Sequence, residues 1–219
     1  MKKKQNARRV ILTVCVLTVI ALALILVLSN MKKTVIFKNT NGEYTDPVTD
    51  ITYVEATPLV YEPKEVYDGE NDVYGKMDSD DVFEVKGVST SKALCRRIAE
   101  GIYVLYVEKN TVIPTLSDFE ANKVYVCEDG VTVTALAISS DTETVSSLAD
   151  EIVSGTPVSK PQEINNRYTL RFESEKYPYF YICVQFIQSD DGCFYMDLES
   201  NQYYEASDMV SKLLETGKG

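Results

Sequence analysis

The tetrapeptide Ser89-Thr90-Ser91-Lys92 sets a hydroxyl and an amine three residues apart. That is the SxxK spacing of serine acylases, in which the Ser attacks and the Lys takes part in its activation. The same chemistry needs Ser-Asp-Asn-like and Lys-Thr-Gly-like elements, and the chain contains neither. It also needs the tetrapeptide to open a helix, whereas its flanks read as strand, so a polar turn is the expectation. The chain has no histidine. This removes imidazole acid–base chemistry, Ser-His and Cys-His pairs, and His metal ligation. Two carboxylate runs, Asp68-Gly69-Glu70-Asn71-Asp72 and Asp78-Ser79-Asp80-Asp81, resemble pieces of a calcium loop. Counted from Asp68, however, the places that demand Gly and Glu hold Val73 and Ser79, so solvated loops are expected. Asp190-Asp191-Gly192 reads as a hairpin turn with Gly192 at positive φ, not as a catalytic pair. With no tryptophan for stacking sugars, a carboxylate-based glycoside hydrolase is weakly supported. No metal and no cofactor is expected.

Cys95, Cys127, Cys183 and Cys193 contain no CxxC pair, so a zinc site is not expected. Four thiols allow three full pairings, but each lies in an apolar run, and buried small side chains are the expectation. A register that puts Phe186, Phe194 and Met196 on one face leaves Cys183 and Cys193 roughly 13 Å apart, beyond disulfide reach.

Tyrosine is abundant, at 15 residues. Tyr177, Tyr179, Tyr181, Tyr195, Tyr203 and Tyr204 gather near the C-terminal end. Tyrosine combines apolar area with a polar tip and is enriched at interfaces. Tyr179, Tyr181, Tyr195, Tyr203 and Tyr204 therefore form the expected interaction surface. In the run from Tyr179 to Phe186, alternation sends Phe180, Ile182, Val184 and Phe186 to one face and Tyr179, Tyr181 and Cys183 to the other.

The elements that must position these residues begin with a membrane segment. Val10–Ser29 holds 20 residues without a charge, Gly or Pro, enough to span about 30 Å as a helix. Lys2, Lys3, Lys4, Arg8 and Arg9 precede it, which directs residues 1–9 to the cytoplasm and the rest outside. The run exceeds the apolar core of an ordinary cleaved signal, so an uncleaved single-pass anchor is expected. Beyond residue 30, 17 basic residues face 33 acidic ones, a net charge of −16, unsuited to nucleic acid.

Residues 30–80, rich in Asn, Asp, Glu, Gly and Pro, read as an extracytoplasmic stalk with one or two short strands. Residues 81–219 read as an α+β ectodomain that could subdivide near 130. Ala93–Ile98 and Ile102–Val107 pair about Glu100-Gly101, in preference to a helix capped by Ser89. Lys123–Cys127 and Val131–Ser139 form a second hairpin about Glu128-Asp129-Gly130. Ser140 and Glu143 read as a capping box for a helix closed by Gly155. Strands follow at Tyr168–Glu173, Tyr179–Gln188 and Cys193–Leu198, with a short fourth at Tyr203–Glu205. Ser207 then caps a last helix, Asp208–Glu215. The fold class is α+β: an N-terminal transmembrane helix, then a mostly antiparallel sheet with two helices in a ββ-α-βββ-α core.

The function expected is a membrane-anchored, extracytoplasmic, non-enzymatic binding or sensing module. It is held to the membrane through residues 10–29 and contacts an envelope protein or wall component. The alternative is an extracytoplasmic hydrolase using carboxylates or the Ser89–Lys92 pair.

Overall fold

A computed structural model of the chain describes residues 34–57, 60–69, 72–128, 134–197 and 201–217. The expected anchor at 10–29 lies outside them. Among the described residues no helix is long and apolar enough to cross a membrane. Residues 35–219 form one compact unit, mostly β-sheet with two helices.

Its first half carries β1 (Val35–Ile36), β2 (Lys38–Thr40), β3 (Glu43–Thr45), β4 (Thr52–Glu55), β5 (Val60–Pro63), β6 (Val73–Met77), β7 (Asp80–Glu84), β8 (Ala93–Ala99) and β9 (Ile102–Glu108). All but β5 join one sheet in the order β1-β6-β7-β8-β9-β4-β3-β2. The two ends of that order are neighbours in the chain. β1 runs parallel to β6, β2 runs antiparallel to β3, and only Phe37 separates them, its N–H donating to the Lys76 carbonyl at 3.0 Å. One continuous segment thus serves both ends and closes the sheet into a small barrel. Phe37, Tyr44, Tyr53, Met77, Val82, Leu94 and Tyr106 pack together as its filling.

Of residues 30–80, expected as a stalk, the described ones from Val35 onward are therefore folded. Strands β2 to β6 are only three to five residues long. Most turn an aromatic or Met side chain inward and polar groups outward, so the average composition reads as polar. The Asn, Asp and Gly that suggested a linker occupy turns: Asn41, Asp50 and Asp78 have φ of 57°, 60° and 55°. The second carboxylate run is held by this chain's own cations. Asp80 accepts from Arg96 Nε at 2.8 Å, and Asp81 accepts from Lys76 at 2.8 Å and Arg97 at 2.7 Å.

Asp46 is fully buried and accepts from the Val48 N–H at 2.7 Å and the Tyr74 hydroxyl at 2.8 Å. Burial raises its pKa, but those donors outweigh it and hold the carboxyl below the ordinary Asp value. A depressed folded-state pKa contributes stability above the unfolded pKa and loses it as pH falls through the folded one. Acid is therefore expected to weaken the barrel below about pH 4. Urea titrations across pH 2–6 should show a shallower acid limb in Asp46→Asn, from a lower plateau.

The second half carries β10 (Lys123–Glu128), β11 (Ala135–Ser139), α1 (Thr142–Ser154), β12 (Pro157–Val158), β13 (Asn166–Glu173), β14 (Phe180–Ser189), β15 (Gly192–Met196), β16 (Tyr203–Ala206) and α2 (Met209–Thr216). The sheet order is β11-β10-β13-β14-β15-β16-β12, every pair antiparallel, and β5 adds to β14 by pairing Val60–Pro63 with Cys183–Phe180. The two-residue β12 is an addition to the expected order. The β8–β9 hairpin turns at Glu100-Gly101 as expected, with Gly101 at φ 72°. Asp190 and Asp191 connect β14 to β15, with Gly192 at φ 133°. Asp190 accepts from Asn165 at 2.7 Å, and both carboxylates are exposed.

The cap of α1 is Asp141, not Ser140. The helix starts one residue later than the spacing suggested, so the Asp141 carboxylate reaches the Thr144 N–H at 2.8 Å. Asp141→Ala is expected to lower the melting temperature and Ser140→Ala to leave it unchanged; the reverse order would place the cap at Ser140. At α2, Asp208 makes no side-chain cap, and the Ser207 hydroxyl accepts from the Met209 N–H at 3.3 Å.

One core joins the two halves, so there is no division near 130. Phe83, Cys95, Leu105 and Val107 from the outside of the barrel meet Val124, Leu170, Phe172, Ile182, Val184 and Phe186 from the second sheet. Val145 and Leu148 of α1 and Val210 and Leu214 of α2 cover the same face. Phe186 lies opposite Tyr195, and Ile187 opposite Phe194. Phe186 and Phe194 therefore face opposite ways, against the expected register. Every residue from Cys193 to Met196 is apolar, so alternation alone cannot choose between the two registers.

Candidate ligand-binding groove

Three connections converge on one side of the shared core. They are the turn between β7 and β8 (85–92), the start of the β9–β10 loop (111–114) and the connection from β13 to β14 (176–180). Together they enclose an open groove of about 460 Å³. Its walls are Val85, Val88, Leu105, Val107, Val112, Ile113, Pro114, Tyr177, Pro178, Tyr179 and Phe180.

The aromatic wall is built residue by residue. Tyr177 stacks on Phe119 with ring centres 5.4 Å apart, and Phe180 lies 5.6 Å from Tyr61 and 5.8 Å from Phe119. The Tyr179 carbonyl accepts from the Lys64 N–H at 2.9 Å, so β5 pins this connection. The Tyr179 ring lies directly on Gly87, which has φ 80°. A Cβ there would come within 2.4 Å of the ring, so Gly87 is needed for both its backbone and its lack of a side chain. Val112 is 92% exposed and Tyr179 43%, a large apolar exposure for two residues beside one groove.

The structure brings Ser89 and Lys92 to this groove, but not as a nucleophile and its base. The Ser89 hydroxyl pairs with Ser91 at 2.8 Å, and no side-chain hydrogen bond joins Ser89 to Lys92 among the described residues. Both residues are exposed. The Ser89 carbonyl accepts from the N–H groups of Lys92 and Ala93, which makes the segment the expected polar turn.

The five tyrosines expected as one interaction surface separate into four places. Tyr179 lines the groove. Tyr195, 1% exposed, and half-buried Tyr204 belong to the main core, and Tyr203 packs with Ile187, Phe194 and Met196 in a satellite cluster. The register set by the two-residue turn at 190–191 turns Tyr195 inward. Tyr181 faces away from the main core as alternation requires, between Tyr125 at 5.9 Å and the cations of Lys64 and Arg171 at 5.1 and 6.0 Å from its ring.

Around Tyr181 lies a second, charged cleft. Arg171, 9% exposed, forms a forked pair with Glu62, with Nη2 to Oε1 and Nε to Oε2 both 2.7 Å. Burial pushes the Glu62 carboxyl up, and Arg171 draws it partly back. Cys183 Sγ is 3.5 Å from Glu62, and Cys127 Sγ is 4.0 Å from Arg171. Burial raises both thiols, and it carries Cys95 to about 12. These are poor nucleophiles, because the thiolate is the reactive form. Cys193 stands opposite Gln188, five positions from Cys183 along β14, roughly 16 Å by strand rise. Among the described residues no group of three or more His, Cys, Asp or Glu side chains is placed to hold a metal ion.

The sequence reading missed Val112, Ile113 and Pro114. Their signal was an apolar tripeptide in a segment otherwise read as loop. Comparison of the chain with family models, with curated proteins and with solved structures finds no match.

Proposed function

We propose that this is a membrane-anchored, extracytoplasmic binding module that engages an envelope partner through the groove between Val112 and Tyr179. The observation that carries the reading is an open apolar groove with two exposed large hydrophobic side chains in its walls, Val112 and Tyr179, the Tyr179 ring lying on Gly87. Solitary exposed apolar residues are ordinary, but a cluster around a concavity marks an interaction site. The 20-residue uncharged run after five basic residues supports the anchor and the outward placement of the body. A hydrolase reading has less support, because Ser89 bonds Ser91 and Lys92 is open to water.

Crosslinking in native membranes tests the reading. The wild-type chain is expected to give a partner adduct that Val112→Asp removes, while protease added to intact protoplasts digests the body. Val112 is almost fully exposed, so the substitution leaves the fold intact. An adduct unchanged by Val112→Asp would sink the groove reading, and a body protected from external protease would sink the placement.

A further inference from the structure

The charge around the groove narrows its occupant. The body beyond residue 30 carries a net charge of −16, yet among the described residues the only charged side chains lining the groove are Lys92 and Lys176. Lys176 is paired with Glu120. Lys92 makes no ion pair among the described residues, and the hydroxyls of Tyr177 and Tyr179 make no hydrogen bond among them. The groove therefore presents one unneutralised cation and two unused phenol donors beside an apolar floor. A ligand that satisfies them offers several acceptors spaced along its length, one of them anionic, with apolar groups between.

Resting on the binding reading above, we propose that the groove takes an extended segment of a partner protein in which an acidic residue adjoins apolar ones. The carboxylate pairs with Lys92, backbone carbonyls accept from Tyr177 and Tyr179, and the apolar side chains lie against Val112. A peptide fits these donors better than a fatty acid, whose acceptors all sit at one end. Flat aromatic and proline faces on the walls also suit an extended backbone.

The test uses the full-length chain in detergent and fluorescent decapeptide pools of Pro, Leu, Val and Tyr with Glu, Gln or Lys fixed at the centre. Binding is read by anisotropy up to about 1 mM, the weak end of measurable affinity. The Glu pool is expected to bind tightest, the Gln pool about five-fold weaker and the Lys pool about twenty-five-fold weaker, as a partly exposed ion pair allows. Lys92→Glu is expected to invert that order, and Val112→Asp to abolish binding of every pool. If Lys92→Glu leaves the order unchanged while Val112→Asp still abolishes binding, the acidic specificity is overturned and the groove stands. If Val112→Asp has no effect, the groove itself is overturned. Binding of oleate or anionic vesicles in place of every peptide pool, or no binding by any pool, overturns the peptide proposal.

Discussion

Tyr53→Ala is expected to destabilise the body by roughly 3–5 kcal/mol, the range for truncating a large buried aromatic. Tyr53 is 1% exposed and sits edge-on to Phe37 with ring centres 5.8 Å apart. Its hydroxyl donates to the Thr90 carbonyl at 2.6 Å, tying β4 to the turn before β8. The substitution opens a cavity inside the barrel and strips a carbonyl of its donor, and both effects act in one direction. In a flexible stalk the same change would be nearly silent, as surface substitutions usually are. Urea unfolding of the full chain in detergent separates the two outcomes. A loss below about 0.5 kcal/mol would mean that residues 35–64 do not belong to the folded body.

The second large effect is expected at the strap that β5 throws onto the second sheet. Arg171→Met leaves the buried Glu62 carboxylate without its forked partner, a change of about 3–5 kcal/mol for a buried pair. Glu62 retains some contact with water, its side chain being 20% exposed, which favours the lower end. The double variant Glu62→Leu with Arg171→Met is expected to recover most of that loss, because two apolar side chains of similar bulk remove the unpaired charge. A double variant as unstable as the single one would mean that the strap is held by Tyr61 and the backbone ladder instead.

Long elements were legible in the sequence and short ones were not. Ile102–Val107 carries six consecutive strand-forming residues, and the alternation from Phe180 to Phe186 correctly separated the core face from Tyr181. The helix at 142–154 announced itself by Val145, Leu148 and Ile152 at helical spacing. The barrel stayed hidden because strands such as Glu43–Thr45 show one inward residue between polar neighbours, which no periodicity can register. Its closure depends on one segment, Val35–Thr40, pairing at both ends with strands far apart in sequence. Tyr195 was misassigned because Cys193, Phe194, Tyr195 and Met196 are all apolar, and only the length of the turn before them fixes which faces inward. The groove was half legible. Tyr179 was visible as a candidate, whereas Val112 meets it only through tertiary packing.

A photoreactive residue placed at position 112 of the full-length chain tests the central claim most directly, with position 48 as the control. Val48 is 79% exposed and lies outside the groove. In intact cells, position 112 is expected to yield a defined adduct that disappears in the Lys92→Glu background, and position 48 is expected to yield none. Equal adducts from both positions, or an adduct at 112 indifferent to Lys92→Glu, would contradict the account.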